Sequence, residues 1–400
     1  MLENLKAEVT RLGKENWKAM LLYTAELHAK SIHPVVFPFS YSWEEIGPGY
    51  CYRPAFGHWD IVHQVFDSIP SEPLHAKEQI LNNLAIQQPD GFLPGTIWMG
   101  GEKVRWSEKY GHPPVWPVAV QDYCDIHHET DLIVKCYEPL VKQIRWFENN
   151  RNAHCSGFYY MDILEKKWES GVDDGIRFDQ IAAGKYACID ATCHVYQLYR
   201  YAEKWSEILH IDDSAFSNKA NQLQKFIQEE LYDQKTGLFY DSWSVNDPAK
   251  QHSAFEGMWP VVVGAATPEQ ANRVIDKHLL NPNKFFTEHP ISSVGIDDAL
   301  FELRLWRGGT WNSMTYWAAR GCVGYNRKDA AKKLLEKALD ATAKQFDETG
   351  TIWEFYHPCL GKQEDVKRKP YTQYNVPCRD YLGHNPVIAM ARMYEECRSE

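Results

Sequence analysis

Apolar residues recur every third or fourth position along much of this 400-residue chain, the spacing that gathers them on one face of an α-helix. The pattern predicts helices over 2–27, 114–128, 132–149, 188–209, 215–231, 255–264, 268–278, 311–323, 328–346 and 385–397. Start signals support three of them: Asp212-Asp213, Thr267-Pro268-Glu269 and the run Asn326-Arg327-Lys328-Asp329. Strand signals are few and short, at 157–161, 238–240 and 351–353. The last two each follow an Asp…Thr-Gly turn.

The stretches between the helices are long and recur at 34–60, 88–114, 155–180, 233–257, 284–312 and 348–384. Six such loops alternating with helix pairs predict an all-α toroid of about a dozen helices, with the loops gathered at one rim. A sheet-based fold would need apolar strands between the helices, and the pattern provides none. No Gly/Ser-rich or Pro-rich linker interrupts the chain, so one domain over 1–400 is expected.

Composition adds an aromatic excess. Fifteen Trp, 22 Tyr and 17 Phe make up 14% of the chain, although 24% of it is charged. Indole and phenol rings pair a large apolar face with a polar handle, which suits an aromatic-lined cavity as well as a core. The net charge of −11 argues against a nucleic-acid partner. The basic cluster at 362–369, broken by Glu364 and Asp365, reads as a solvated loop. No stretch approaches a membrane span, and the charged amphipathic N-terminus lacks the apolar run of a signal peptide, so a cytoplasmic protein is expected. The ten cysteines show no metal-binding spacing and read as free thiols. Oligomeric state is not legible.

Two carboxylate-bearing segments stand out. Trp168-Glu169-Ser170-Gly171-Val172-Asp173-Asp174 crowds acids beside glycines that permit close backbone approach, and Arg177 follows. Trp353-Glu354-Phe355-Tyr356 embeds one carboxylate in three rings. Two carboxyls facing each other across an aromatic cleft are what glycosidic hydrolysis needs: one protonates the leaving oxygen, the other activates water or attacks the anomeric carbon. Local sequence leaves the first segment open to a solvated acidic turn, and the second to a strand residue pointing at water. Trp306-Arg307-Gly308-Gly309-Thr310-Trp311-Asn312 opens a helix and reads as a ligand-facing terminus or as a plain helix start. Phe56-Gly57-His58-Trp59-Asp60 offers a short carboxylate suited to two adjacent sugar hydroxyls. Asp90-Gly91 reads as a turn, His112 as a loop residue, and Asp297-Asp298 as a helix cap in preference to a cation site.

Taken in order, Trp-Asp, Asp-Gly-Phe-x-Pro, Trp-Glu-Ser-Gly-x-Asp, Trp-Arg-Gly-x-x-Trp and Trp-Glu-x-Tyr resemble the motifs of glycoside hydrolase family 63. That family includes processing α-glucosidases and bacterial mannosylglycerate and glucosylglycerate hydrolases. The acid motif is also similar to that of family 37 trehalases. The resemblance implies an (α/α)6 toroid and hydrolysis with inversion, Asp173 being the general acid and Glu354 the general base. It places Trp59, Asp60, Trp168, Glu169, Gly171, Arg307, Gly308, Trp311, Trp353 and Tyr356 around the sugar. Inversion implies carboxyls roughly 6.5–9.5 Å apart, with room for a water between them.

The chain departs from the family pattern at Gly309, at Asp174-Gly175-Ile176-Arg177 and at Gly95, where family members often carry Pro, Asn-Ser-Pro-Arg and His. The second acid, Asp174, raises the question of whether it shares the acid's role. The implied activity is exo-cleavage of a small soluble α-glucoside or α-mannoside, without a cofactor or metal. Lys103 and Arg105 are placed to meet an anionic aglycone such as glycerate. Two readings compete: a sugar isomerase like the N-acylglucosamine 2-epimerases, working through His, and a non-catalytic sugar-binding toroid.

Overall fold

The computed structural model describes residues 1–166, 168–179, 181–211 and 214–398. Its helices are, in chain order, α1 (Glu3–Val9), α2 (Lys18–Lys30), α3 (Asp60–Ser68), α4 (Pro73–Asn83), α5 (Trp116–His127), α6 (Asp131–Asn150), α7 (Asp162–Glu165), α8 (Ile189–Ile208), α9 (Ala215–Glu230), α10 (Trp259–Val262), α11 (Pro268–Val274), α12 (Asn312–Gly324), α13 (Lys328–Thr349) and α14 (Val387–Arg398). Helices α3, α5, α8, α10, α12 and α14 form an inner ring. Each packs against an outer helix, respectively α4, α6, α9, α11, α13 and α2, and α5, α8 and α14 also pack against α4, α6 and α13. This is the (α/α)6 toroid.

The sequence explains which helix goes where. Outer helix α9 buries only Phe216, Ala220, Leu223 and Ile227, a single stripe at helical spacing. Inner helix α3 is enclosed on every side, and all nine of its residues are buried. Its polar side chains find partners there: Gln64 donates to Glu44 at 2.8 Å, and Asp67 meets His28 at 3.2 Å. The helices expected from sequence omit α3, although its Ile61, Val62, Val65 and Phe66 recur at helical spacing; the run is only nine residues long and follows directly on the loop 34–60. The run expected over 2–27 is broken into α1 and α2, because Gly13 adopts φ 66° and turns the chain between them. The capping signal at Thr267 is realised as a capping box with Gln270. Asp212-Asp213 lie outside the described residues.

The turn from Asp233 to Gly237 joins a short hairpin, Tyr232–Asp233 with Leu238–Phe239. The stretches 157–161 and 351–353 form only single bridges, Asn152 with Phe158 and Trp353 with Arg379.

Such bridges stitch the loops to one another. Ala254 pairs with Val294, Ser292 with Thr310, and Thr310 with Tyr356. Beyond the Trp353–Arg379 bridge, Leu382 donates to Ile46 at 2.8 Å, and Ile46 to Ala55 at 2.9 Å. The strand Ala55–Gly57 pairs with Thr96–Trp98, which pairs with Arg105–Trp106. The loops thus brace each other around one end of the ring, which gives side chains from distant segments fixed positions. All ten cysteines are free thiols. No helix among the described residues is long and apolar enough to cross a membrane.

Candidate active site

A cavity of about 890 Å³ opens at the loop end. Five of the six predicted connections supply its walls, and 233–257 supplies none. Trp59, Trp98, Trp106, Trp168, Trp306 and Trp311 line it together with Tyr50, Tyr52, Tyr374 and Tyr381. Trp306 and Trp311 stack with parallel rings 3.8 Å apart. Among these surfaces stand three carboxylates, Asp60, Asp173 and Glu354.

The loop carrying Asp173 is shaped from beneath by Glu169. Arg151 grips that carboxylate through Nε at 2.8 Å and Nη2 at 2.7 Å, while Met161 N–H and Gly111 N–H donate to it at 2.7 and 3.2 Å. Ser170 ties the next residue down, donating from backbone and hydroxyl to Asp162 at 3.0 and 2.8 Å. Burial, with Glu169 adding repulsion, pushes the Asp162 carboxyl up to about 7. Gly171 turns with φ 74°, and a Cβ there would stand 2.2 Å from Cζ3 of Trp59. With Glu169 directed inward, Trp168 and Asp173 face the cavity. Asp174 turns the other way, to Arg304, and its backbone carbonyl accepts from Arg307 at 3.3 Å.

Glu354 is buried and held by a fork. Arg368 Nε donates to Oε2 at 2.7 Å and Nη2 to Oε1 at 3.0 Å. Cys378 N–H adds a bond to Oε2 at 3.1 Å. Two parallel charge-assisted bonds fix the carboxylate's orientation as well as balancing its charge. Its flanking rings serve as anchors. Trp353 lies over the Arg379 guanidinium and donates from Nε1 to Thr349 at 3.0 Å. The Tyr356 hydroxyl accepts from Trp353 N–H at 3.1 Å and donates to Asn385 at 3.0 Å.

Asp60 begins α3 at the foot of the cavity. A Cβ on Gly57 or Gly383 would stand 2.0 or 2.3 Å from its oxygens, so the two glycines make its niche. Burial pushes its carboxyl up to about 7, against the hydrogen bond donated by Tyr381 at 2.8 Å. His384 and His112 also line the wall, and burial lowers both, His112 to about 3. Both are therefore neutral hydrogen-bonding groups at ordinary pH. Behind them His63 accepts from the indole N–H groups of Trp59 and Trp317, both at 2.9 Å, and its Nδ1 faces Gly383 O at 2.7 Å.

Of the residues singled out in the sequence, Trp59, Asp60, Trp168, Gly171, Asp173, Trp311 and Glu354 meet around this cavity. Glu169, Arg307, Gly308, Trp353 and Tyr356 do not line it. Arg307 holds Asp179 at 2.5 Å, and Gly308 sits against the Glu302 carbonyl. Arg105 reaches the cavity, whereas Lys103 is exposed and stands off it. Asp90 and Asp298 cap turns through Phe92 N–H and Leu300 N–H.

The basic cluster needs a correction. Arg368 and Lys369 are not part of a solvated loop; both line the cavity, and Lys369 Nζ lies 3.0 Å from Asp173 Oδ2. Tyr52, Tyr374, Tyr381 and His384 were missed too. Only their aromatic and basic character offered a signal.

The profile of the "Mannosylglycerate hydrolase MGH1-like glycoside hydrolase domain" matches residues 53–375, most of the chain and most of the cavity wall. The chain belongs to this family. It is a glycoside hydrolase of the family 63 type. Solved structures agree on the fold. A family 63 mannosylglycerate hydrolase from Thermus thermophilus, in complex with glucose, superposes with a TM-score of 0.70 at 17% identity, covering 93% of this chain and 99% of that one. The neutral trehalase Nth1 of Saccharomyces cerevisiae does so at 0.65 and 12% identity, covering 99% and 82%. A rhamnosidase from Klebsiella oxytoca, with rhamnose bound, gives 0.64 at 12% identity, covering 96% and 64%.

Proposed function

We propose that this glycoside hydrolase cleaves a small α-glucoside or α-mannoside with inversion, with Asp173 as general acid and Glu354 as general base. The observation that carries the reading is that these two carboxylates, brought from different loops, face one aromatic-lined cavity. Asp173 gives a proton to the glycosidic oxygen as the bond to the anomeric carbon breaks. A water attacks the opposite face of that carbon and passes its proton to Glu354, leaving a free sugar and an alcohol.

The bonding of Glu354 indicates which atom takes the proton. Oε2 already accepts from Arg368 Nε and Cys378 N–H, while Oε1 accepts from Arg368 alone. A carboxylate oxygen has two acceptor sites, so Oε1 keeps one for the water. Asp60, steadied by Tyr381, is placed to grip sugar hydroxyls, and the tryptophans offer faces to the ring's C–H edges.

The aglycone is small and acidic, as in mannosylglycerate or glucosylglycerate. Arg53, Arg105 and Lys369 line the cavity along with the carboxylates, and the Thermus neighbour is a mannosylglycerate hydrolase. The test is free-sugar release from a panel of mannosylglycerate, glucosylglycerate, trehalose, kojibiose and isomaltose. Cleavage of the glycerate glycosides ahead of the disaccharides is expected. Preference for a disaccharide would refute the acidic aglycone, and cleavage of none would refute the substrate class.

A further inference from the structure

We infer that Cys51 and Cys378 are a modification site in the cavity wall: a peroxide joins the two thiols in a disulfide, which slows hydrolysis by pulling on the support of Glu354. The disulfide stands apart from the mechanism proposed above, whereas its effect on rate rests on the reading of Glu354 as general base.

Neither thiol takes part in that mechanism, yet the fold brings them together from distant parts of the chain. Leu382 and Gly383 N–H both donate to Ile46 O, at 2.8 and 3.0 Å, and a Cβ on Gly49 would stand 1.8 Å from Arg379 O. The two segments thus lie against each other with no room for a side chain between their backbones. Beside this contact Cys51 packs on a small cluster of Ile46, Ala55, Cys378 and Tyr381. There the Cys378 thiol donates a hydrogen bond to the Cys51 sulfur. Sulfurs in such contact need only a small approach to reach the S–S bond length of about 2.0 Å.

The pair is unequal in the way that stepwise oxidation requires. Cys51 is half-buried and, among the described residues, the only cysteine lining the cavity, whereas Cys378 is buried. The bond from Cys378 holds the Cys51 thiol below its usual range, and the positive charges of Arg368 and Lys369 add to this. A thiolate is the nucleophilic form of cysteine. Cys51 therefore attacks one peroxide oxygen, giving a sulfenic acid and releasing hydroxide. The Cys378 sulfur then attacks the Cys51 sulfur, and the sulfenic oxygen leaves as water with the Cys378 proton. In sum, two thiols and one hydrogen peroxide give one disulfide and two waters.

Cys378 is tied to Glu354 twice. Its N–H donates to Oε2 at 3.1 Å, and its carbonyl accepts from Glu354 N–H at 2.8 Å. Drawing the Cys378 sulfur towards Cys51 shifts this segment, and with it the carboxylate. A misplacement of about 1 Å at a catalytic group costs on the order of a hundredfold in rate.

Peptide mapping of the intact enzyme, after hydrogen peroxide treatment and alkylation, tests the site. Cys51 and Cys378 should be found joined, and hydrolysis of the panel's best glycoside should fall at least about tenfold. Dithiothreitol should restore it. Given the same peroxide, Cys51→Ser and Cys378→Ser should each keep the rate of their own untreated enzyme. Cys155 and Cys359 are exposed and compete for the oxidant; a loss of rate that survives in both serine variants would trace to such thiols and overturn the proposal. A wild-type map without the joined peptides, or a joined enzyme of undiminished rate, would overturn it too. Full hydrolysis by Glu354→Gln, beside a joined and slowed wild type, would instead overturn the reading of Glu354 as base and leave the disulfide standing.

Discussion

The Arg368–Glu354 pair gives a prediction that can be worked from its geometry. Both side chains are about 4% exposed, and two bonds of 2.7 and 3.0 Å join them. Arg368→Met leaves the buried Glu354 carboxylate with only Cys378 N–H as a donor. Removing one partner of such a pair costs about 3–5 kcal/mol, because the other charge is stranded away from water. Glu354→Gln is milder, since the amide oxygen still accepts one of the two bonds and Arg368 keeps its 3.3 Å bond to the Tyr52 hydroxyl. In the double variant no charge is stranded on Glu354. Its destabilisation is expected to fall short of the sum of the single effects by about 2 kcal/mol. Urea unfolding of the four proteins, with matching slopes, measures this. Additivity within about 0.5 kcal/mol would refute the reasoning, because the two side chains would then not depend on each other.

Gly171→Ala places a Cβ 2.2 Å from the Trp59 ring at φ 74°. The backbone strain alone costs about 1–2 kcal/mol. Displacement of the turn two residues before Asp173 should lower kcat by about a hundredfold, read by thermal unfolding and steady-state kinetics. Asp60 holds in the fold a proton that the unfolded chain releases near 3.8, since burial raises its carboxyl to about 7. Its contribution to stability is therefore complete below about pH 4 and is lost as pH rises through about 7. Asp60→Asn removes that loss. Between pH 4 and 8 its stability relative to wild type should rise by on the order of 2–4 kcal/mol; an unchanged difference would show that Asp60 ionises normally.

The toroid was legible because its outer helices and long loops both leave a mark on the sequence. Helices such as α9 and α13 carry clear apolar stripes, and the loops are too long and too aromatic to be simple connections. Helix α3 carries the same spacing in Ile61, Val62, Val65 and Phe66, but over only nine residues, so it stood out less than the longer helices. In the candidate site, Asp173 and Glu354 stood out through the rings and glycines around them. Glu169 and Tyr356 stood out equally, yet they face inward, as buttresses for the residues beside them. Local composition marks a segment as unusual, but only the packing decides which of its side chains turns to the cavity. Arg368 and Lys369 show the reverse case. A basic run beside Glu364 and Asp365 has the composition of a solvated loop, and nothing local marks its partners, Glu354 14 residues before Arg368 and Asp173 196 residues before Lys369.

The central claim is inversion by Asp173 and Glu354. Proton NMR of the anomeric signals during early turnover tests it most directly, with the preferred α-glycoside as substrate and Asp173→Asn and Glu354→Gln compared with wild type. The account predicts the β-anomer first from the wild type and almost no release from either variant. Initial α-anomer, or undiminished turnover in either variant, would contradict it.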